Sequence, residues 1–371
     1  MRRGVCGGCP VLCDDVRFAD PPAGDGPPDP HGACDWGSAF LSALLRVEAR
    51  PMLGGQPADR AAALAAAAEL LRSAGSPAVI GLTGLTVEAL REAVPLAETL
   101  RGLLAPWPPD PTRNWGHAAP DIARTWGAIA DAAELAVFWG ADPDQTHPRL
   151  RERLRLTDER TLVLPGEPDV ATAVALRMHF EKAGPPVAAL SSRLAAVRSA
   201  HIFLTRAAGA DAVLVGQLQL LAARLLPVCR LSVGVLPDSV NARGATEVLT
   251  WQTGFPGPTG FAGGAPQYRP GVWEADRILA DGLADAVVTA DLDADTLPAE
   301  ARSRLARTRR IVISPREDRS ADVCFVIPGL DPRLDAHVVR PDGIMLRLAG
   351  AGPGFPDPAA EVLADLRRAL A

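Results

Sequence analysis

Beyond residue 50 the apolar positions come in two alternating formats. Short runs such as PAVIGL (77–82), AELAVFWG (133–140), RTLVLPG (160–166), AHIFLTR (200–206), RLSVGVL (230–236), DAVVTADL (285–292) and RIVISP (310–315) are nearly continuous. Strands buried on both faces have that character. Between them lie segments with apolar residues every three or four positions, which predict helices at 60–75, 86–104, 170–184, 187–200, 210–226, 273–281, 298–307 and 358–371. Gly75 and Pro77 close the first of these, and Pro95 lies inside the second. HVVRPDGIMLRL (337–348) reads as a hairpin, because Pro-Asp-Gly supplies the turn between two alternating runs.

Buried strands alternating with helices predict doubly wound α/β architecture with mostly parallel sheets, and this many strands fill two sheets more readily than one. Residues 1–50 follow another pattern. They hold a cysteine cluster, a Pro/Gly/Asp-rich stretch (18–32) and a short helix over about 38–47. The expected division is an N-terminal cysteine-loop domain at 1–50, a first α/β domain at 51–145 plus about 272–371, and a second, inserted α/β domain at 146–271.

Composition adds limits. The 371 residues carry 38 basic and 44 acidic side chains, a net charge of −6, and Lys182 is the only lysine. That balance speaks against nucleic acid and against an anionic membrane as partner. No apolar run reaches the roughly 18–20 residues that span a bilayer, and MRRGVCGG lacks the apolar stretch of a secretory signal. The expected location is cytoplasmic, where thiols stay reduced and clustered cysteines suggest metal or redox chemistry before disulfides.

Three of the six cysteines fall in VCGGCPVLCDDV (5–16) and a fourth follows in GACDWGSAF (32–40). The spacing C-x2-C-x3-C-x20-C, through Cys6, Cys9, Cys13 and Cys34, suits a [4Fe–4S] cluster, with three thiolates on one loop and a distant fourth. A zinc site, which more often pairs two C-x2-C knuckles, and a cluster loop that no longer holds metal are the other readings. Cys229 and Cys324 sit in apolar strand patterns and read as core. The six histidines, His31, His117, His147, His179, His201 and His337, form no His-x-His and no His-Glu-x-x-His. There is no G-x-S-x-G elbow and no P-loop. LTGLT (82–86) and GFAGGAPQ (260–267) read as tight Gly-containing turns, and Asp14 and Asp15 as solvated loop carboxylates.

Several blocks resemble one family in order along the chain. VCGGCPVLCDDV, GACDWGSAF, AVFWGADPDQTHPRLRER (136–153), TWQTGFPGPTGFAGGAPQYRPGVWEAD (250–276) and DAHVVRPDGIMLRL (335–348) are similar to segments of the B-type subunit of formylmethanofuran dehydrogenase, a branch of the molybdopterin oxidoreductases. The resemblance implies that superfamily's fold without its C-terminal barrel, and a cleft for molybdenum or tungsten pterin lined here by Trp139, Gly140, Asn241 and Gly244, the last two in NARGATE (241–247), which resembles a family turn.

Departures from the pattern carry equal weight. Redox-active members place a metal-binding cysteine or selenocysteine before a His-Gly-Pro; the corresponding stretch is TRNWGHAAPDIAR (112–124), with Gly116 at the ligand position and His117 beside it. Glycine offers no soft donor, and Trp115 or Ala118, reached by sliding the alignment, are no better. Ala141-Asp142 replace the family's usual residues after Trp139-Gly140, and no electron-relaying basic residue is evident in DWGSAFLSALL (35–45). The cleft residues are therefore expected to be vestigial, with no catalytic residue and no bound pterin, and the ring of Trp115 or Trp126 is expected to fill part of that volume.

A retained frame without the redox ligand is most similar to the B-type chain of the bacterial formyltransferase/hydrolase complex. The resemblance implies an A-type zinc hydrolase that releases formate from a methanofuran-type carrier, a D-type subunit that transfers formyl from tetrahydromethanopterin to that carrier, and a C-type subunit. The chain itself is then a structural partner, with an iron–sulfur cluster as a staple. The alternatives are a catalytic pterin subunit of formylmethanofuran dehydrogenase and a cluster-only electron-transfer subunit.

Overall fold

The computed structural model describes residues 2–18, 30–44, 46–113, 115, 123–178, 180, 187–350 and 354–371. The chain forms two compact units. One comprises 1–110, 239–340 and 345–371; the other comprises 111–238 and 341–344.

The first unit is built on a nine-stranded sheet, in the order Gln267–Tyr268, Thr259–Gly260, Leu103–Trp107, Pro77–Leu82, Ala286–Ala290, Arg309–Ser314, Val323–Val326, Arg50–Leu53, Gln56–Pro57. The five central strands run parallel, and two antiparallel strands extend each edge. Every residue of Pro77–Leu82 and of Ala286–Ala290 is buried, as their runs of apolar residues, broken only by Thr289, demand. The helices Arg60–Arg72, Val87–Thr99, Ala242–Thr253 and Pro358–Leu370 cover one face, with Leu71, Leu90, Leu249 and Leu363 in a single core with Val79, Val288 and Ile311. Ala275–Ala280 and Ala299–Leu305 cover the other face.

The second unit has four parallel strands, ordered Arg230–Val235, Ser199–Leu204, Leu135–Trp139, Thr161–Leu164. Its core joins Val137, Ile202 and Val233 to Leu176, Leu190, Leu218 and Leu221 from the helices Val170–Met178, Ala188–Ala195 and Ala212–Leu225. The doubly wound α/β fold with parallel sheets is the one the alternating pattern predicts.

Four details differ from the sequence pattern. The helix expected over 86–104 runs through Pro95 but ends at Thr99. Arg101 takes the left-handed conformation, Gly102 donates its amide to the Ala97 carbonyl, and Leu103 pairs with Ala78 as the start of a strand. NARGATE is not a turn; Asn241 leads directly into the helix Ala242–Thr253, whose last turn is stopped by Gly254 at φ +85°. The cysteine segment is not a separate body but part of the first unit, because Val5 and Leu12 share a core with Leu330, Leu334 and Leu348. The division falls after Asp110 and after Asp238, where the sequence pattern places it near 145 and 271, since the Leu135–Trp139 strand pairs with Thr161–Leu164 and Ser199–Leu204.

Candidate metal centre

The first three cysteines lie on the loop joining two short antiparallel strands, Arg2–Gly4 and Val16–Phe18. The loop is drawn tight by its own backbone: the Cys6 amide donates to the Cys13 carbonyl at 2.9 Å, and the Leu12 amide to the Cys9 carbonyl at 3.1 Å. Leu12 holds φ +49°, which costs of order 1 kcal/mol for a side chain with a Cβ. Complete burial of that side chain in the Val5–Leu330–Leu348 core offsets it.

Cys34 stands at the start of the helix Asp35–Leu44. Its carbonyl accepts the Ser38 amide at 2.8 Å and its Sγ accepts the Gly37 amide at 3.4 Å, so the thiol occupies the position of a helix N-cap acceptor. A Cβ placed on Gly37 would lie 3.1 Å from the Cys6 Sγ and 3.6 Å from the Cys34 Sγ. Two sulfurs from segments distant in sequence therefore flank the bare face of Gly37, in a space too small for a methyl group. The Cys9 thiol is pushed up to about 11 by burial, against the hydrogen bond from the Val11 backbone amide, with smaller contributions from Cys6 and Cys34.

All six cysteines are free of disulfides. Among the described residues no three His, Cys, Asp or Glu side chains are gathered as a single bound ion requires. The donor set is nonetheless of the kind a cluster uses, three thiols on one tight loop and a fourth at a helix start, with the Cys6 and Cys34 sulfurs meeting at Gly37. Cys6, Cys9, Cys13 and Cys34 are the residues that would hold it.

Gly116 and His117 lie outside the described residues. Their neighbour Trp115 is buried in the core of the second unit, and its indole Nε1 donates to the Gly209 carbonyl at 2.9 Å. Trp126 is also buried, so both rings expected to fill space are withdrawn from solvent. Trp139 ends its strand inside the same core. Gly140 follows at φ +88°, where a Cβ would stand 2.9 Å from Thr205 Cγ2. His147 is buried, with Nε2 3.1 Å from the Pro237 carbonyl and Nδ1 2.8 Å from Thr146 Oγ1. Burial lowers its pKa, against the opposing hydrogen bond to Pro237 and the charge of Asp238.

Asn241 is fully buried in the first unit and clamps three segments. Its amide donates to the Thr83 carbonyl (3.0 Å), its Nδ2 to the Leu85 carbonyl (2.6 Å), and its Oδ1 accepts the Val339 amide (2.7 Å). A Cβ on Gly244 would lie 2.2 Å from that Oδ1, so the glycine makes room for the clamp.

Sequence patterns give no sign of a small crevice in the first unit, lined by Gly84, Thr86, Asp291, Ser314, Pro315 and Asp357 among others. It opens beyond the carboxyl ends of Pro77–Leu82 and Ala286–Ala290, where the strand order reverses direction, the place where open α/β sheets accommodate ligands. Burial raises the Asp291 carboxyl to about 6, opposed by Arg316 and aided by Asp293. An Asp directly after a strand's last apolar residue was the available signal.

Trp251, in the block most specific to the resemblance, is 65% exposed, with the Arg91 guanidinium 5.3 Å from its ring centroid. No helix among the described residues is long and apolar enough to cross a membrane.

No family model matches the chain. The B-type subunit of tungsten-containing formylmethanofuran dehydrogenase 2 from Methanocaldococcus jannaschii is 24% identical over 420 residues, covering 94% of the chain and 93% of that protein. Its counterpart in Methanococcus maripaludis is 22% identical over 409 residues, covering 93% and 92%. Among solved structures, the formyltransferase/hydrolase complex (FhcABCD) from Methylorubrum extorquens, in complex with methylofuran, has a chain that superposes with a TM-score of 0.68 at 22% identity, covering 86% of this chain and 98% of that one. The chain thus resembles the B-type subunit of formylmethanofuran dehydrogenase along nearly its whole length, as its motifs implied, and it has the fold of a chain in the formyltransferase/hydrolase complex.

Proposed function

We propose that the chain is the B-type, non-redox structural subunit of a formyltransferase/hydrolase complex in one-carbon metabolism, one that uses tetrahydromethanopterin and a methanofuran-type formyl carrier. The observation that carries this reading is the donor set at the pterin-metal position. Trp115, Gly116, His117 and Ala118 include no thiol or selenol, and molybdenum or tungsten requires a soft donor there. The Trp115 indole is committed to its own core, bonded to Gly209, and is not available as a substitute. The partners are an A-type hydrolase, a C-type subunit and a D-type formyltransferase, and the hydrolytic and transfer chemistry is theirs. A [4Fe–4S] centre held by Cys6, Cys9, Cys13 and Cys34 would cross-link loop and helix without turning over substrate.

The two curated relatives are named as tungsten-containing dehydrogenases, which keeps a redox role as the second reading. Anaerobic co-expression with the three other subunit types decides between them. The expected result is a complex with formyltransferase and hydrolase activity, containing iron and sulfide but no stoichiometric molybdenum, tungsten or pterin. Tungsten or molybdenum held stoichiometrically with pterin, and reduction of a viologen dye by the formylated carrier, would overturn the proposal.

A further inference from the structure

Gly37 is the one residue of the helix Asp35–Leu44 that touches two of the four cysteines by lacking a side chain. The Cys6 and Cys34 sulfurs stand 3.1 and 3.6 Å from where its Cβ would be, and its amide points at the Cys34 sulfur at 3.4 Å. The two observations are independent: one concerns vacant volume, the other a hydrogen-bond donor. A methyl group at 3.1 Å from sulfur is tighter than ordinary contact, so an alanine there must displace the Cys6 thiol. That displacement falls on a loop with little slack. Cys6 is fixed through its amide to Cys13, and Val5, immediately before it, donates to the Leu348 carbonyl at 3.0 Å. The thiol of Cys34 is fixed likewise, by the first turn of the helix it caps.

We infer that Gly37 is the positioning residue of the four-cysteine site: it leaves the space in which the Cys6 and Cys34 sulfurs converge, its amide steadies the Cys34 sulfur, and binding of an iron–sulfur centre therefore locks the Asp35–Leu44 helix onto the cysteine loop. The inference rests on the iron–sulfur reading of the site and concerns how this chain's residues prepare it. It also predicts that the centre acts on folding, since the atoms it fixes are the same ones that start the helix.

The test is anaerobic reconstitution of the full chain with ferrous iron and sulfide. Wild type, Gly37→Ala and Gly216→Ala are compared; Gly216 lies on the helix Ala212–Leu225 with open space where a Cβ would go. Iron and acid-labile sulfide per chain are measured, together with hydrogen exchange at the amides of residues 38–44. Wild type and Gly216→Ala are expected to take up iron and sulfide and to slow exchange in that helix at least tenfold. Gly37→Ala is expected to lose most of the bound iron and all of the added protection. If wild type takes up no iron, the iron–sulfur reading fails and the inference with it. If wild type and Gly37→Ala load equally and protect the helix equally, the role of Gly37 is overturned while the iron–sulfur reading stands. Should Gly37→Ala fail to fold, Cys6→Ala is added to remove the nearest sulfur. Recovery of folding in the double variant upholds the volume argument, and no recovery overturns it.

Discussion

Thr86 and Asp357 cap two different helices and are hydrogen-bonded to each other. The Thr86 hydroxyl donates to the Asp357 carboxylate while accepting the Ala89 amide at the start of Val87–Thr99; Asp357 accepts the Ala359 amide at the start of Pro358–Leu370. The two helices pack side by side over the first unit's sheet, so the caps fix both starts with one contact. Removing the hydroxyl by Thr86→Val deprives one helix of its cap and takes a donor from a buried carboxyl. The expected cost is about 2–3 kcal/mol, read as a lower denaturant midpoint at unchanged slope.

Asp291 sits in the crevice beyond the strand ends with its pKa raised to about 6, chiefly by burial. A folded-state pKa above the unfolded value means that the folded form binds a proton more tightly. This carboxyl therefore contributes stability at low pH that is lost as pH rises from about 4 through about 6. Asp291→Asn removes the ionisation and keeps the shape. Thermal melts of the variant should exceed wild type by about 1–2 kcal/mol at pH 8 and by less than half of that at pH 4.5. Equal melting at both pH values would mean that the carboxyl is solvated in the crevice.

Much of this arrangement was legible in the sequence because burial on both faces leaves a strong local mark. PAVIGL is apolar throughout and AVVTA is apolar but for Thr289, and they became two neighbouring strands in the middle of the larger sheet. The edge strands Thr259–Gly260 and Gln267–Tyr268 have two residues each and carry no such mark, since only pairing with Leu103–Trp107 and with each other defines them. Asn241 stands out in the sequence for its place in NARGATE, but its role depends on carbonyls at 83 and 85 and an amide at 339, which no local pattern reveals. The spacing of the four cysteines is what suggests them as a set. The part played by Gly37 was not legible, because it consists of a space between sulfurs from distant segments.

His201 is the deepest titratable group of the second unit. Its Nδ1 lies 2.8 Å from Ser232 Oγ, and that hydroxyl donates to the Ala200 carbonyl, which leaves Nδ1 as the protonated nitrogen. Nε2 has no hydrogen-bond partner among the described residues and abuts Gly234, where a Cβ would stand only 2.7 Å away. Burial, with the Arg124 charge assisting, lowers the pKa to about 3. A depressed histidine pKa stabilises the fold fully above the unfolded value near 6.5 and progressively less as pH falls toward 3. The second unit should lose stability across that window, followed by hydrogen exchange of the Ser199–Leu204 and Arg230–Val235 amides. Gly234→Ala should cost about 2 kcal/mol or more at every pH, because its methyl group meets the ring nitrogen directly.

The Asn241 clamp gives the sharpest discrimination between a structural residue and a relic of ligand binding. Asn241→Asp preserves size, yet a carboxylate cannot donate to the Leu85 carbonyl, and the pair would face each other across 2.6 Å in a fully buried position. At pH 7.5 the variant should lose about 3 kcal/mol or more, the penalty for a buried donor replaced by an unpaired charge. Protonation restores the missing donor, so the gap to wild type measured at the same pH should narrow by pH 4.5. Gly244→Ala should be destabilising at both pH values, since its methyl group would occupy the space of the Asn241 Oδ1. A side chain kept only for a ligand would leave the melting curve unmoved by Asn241→Asp, and thermal melts at the two pH values decide between these roles.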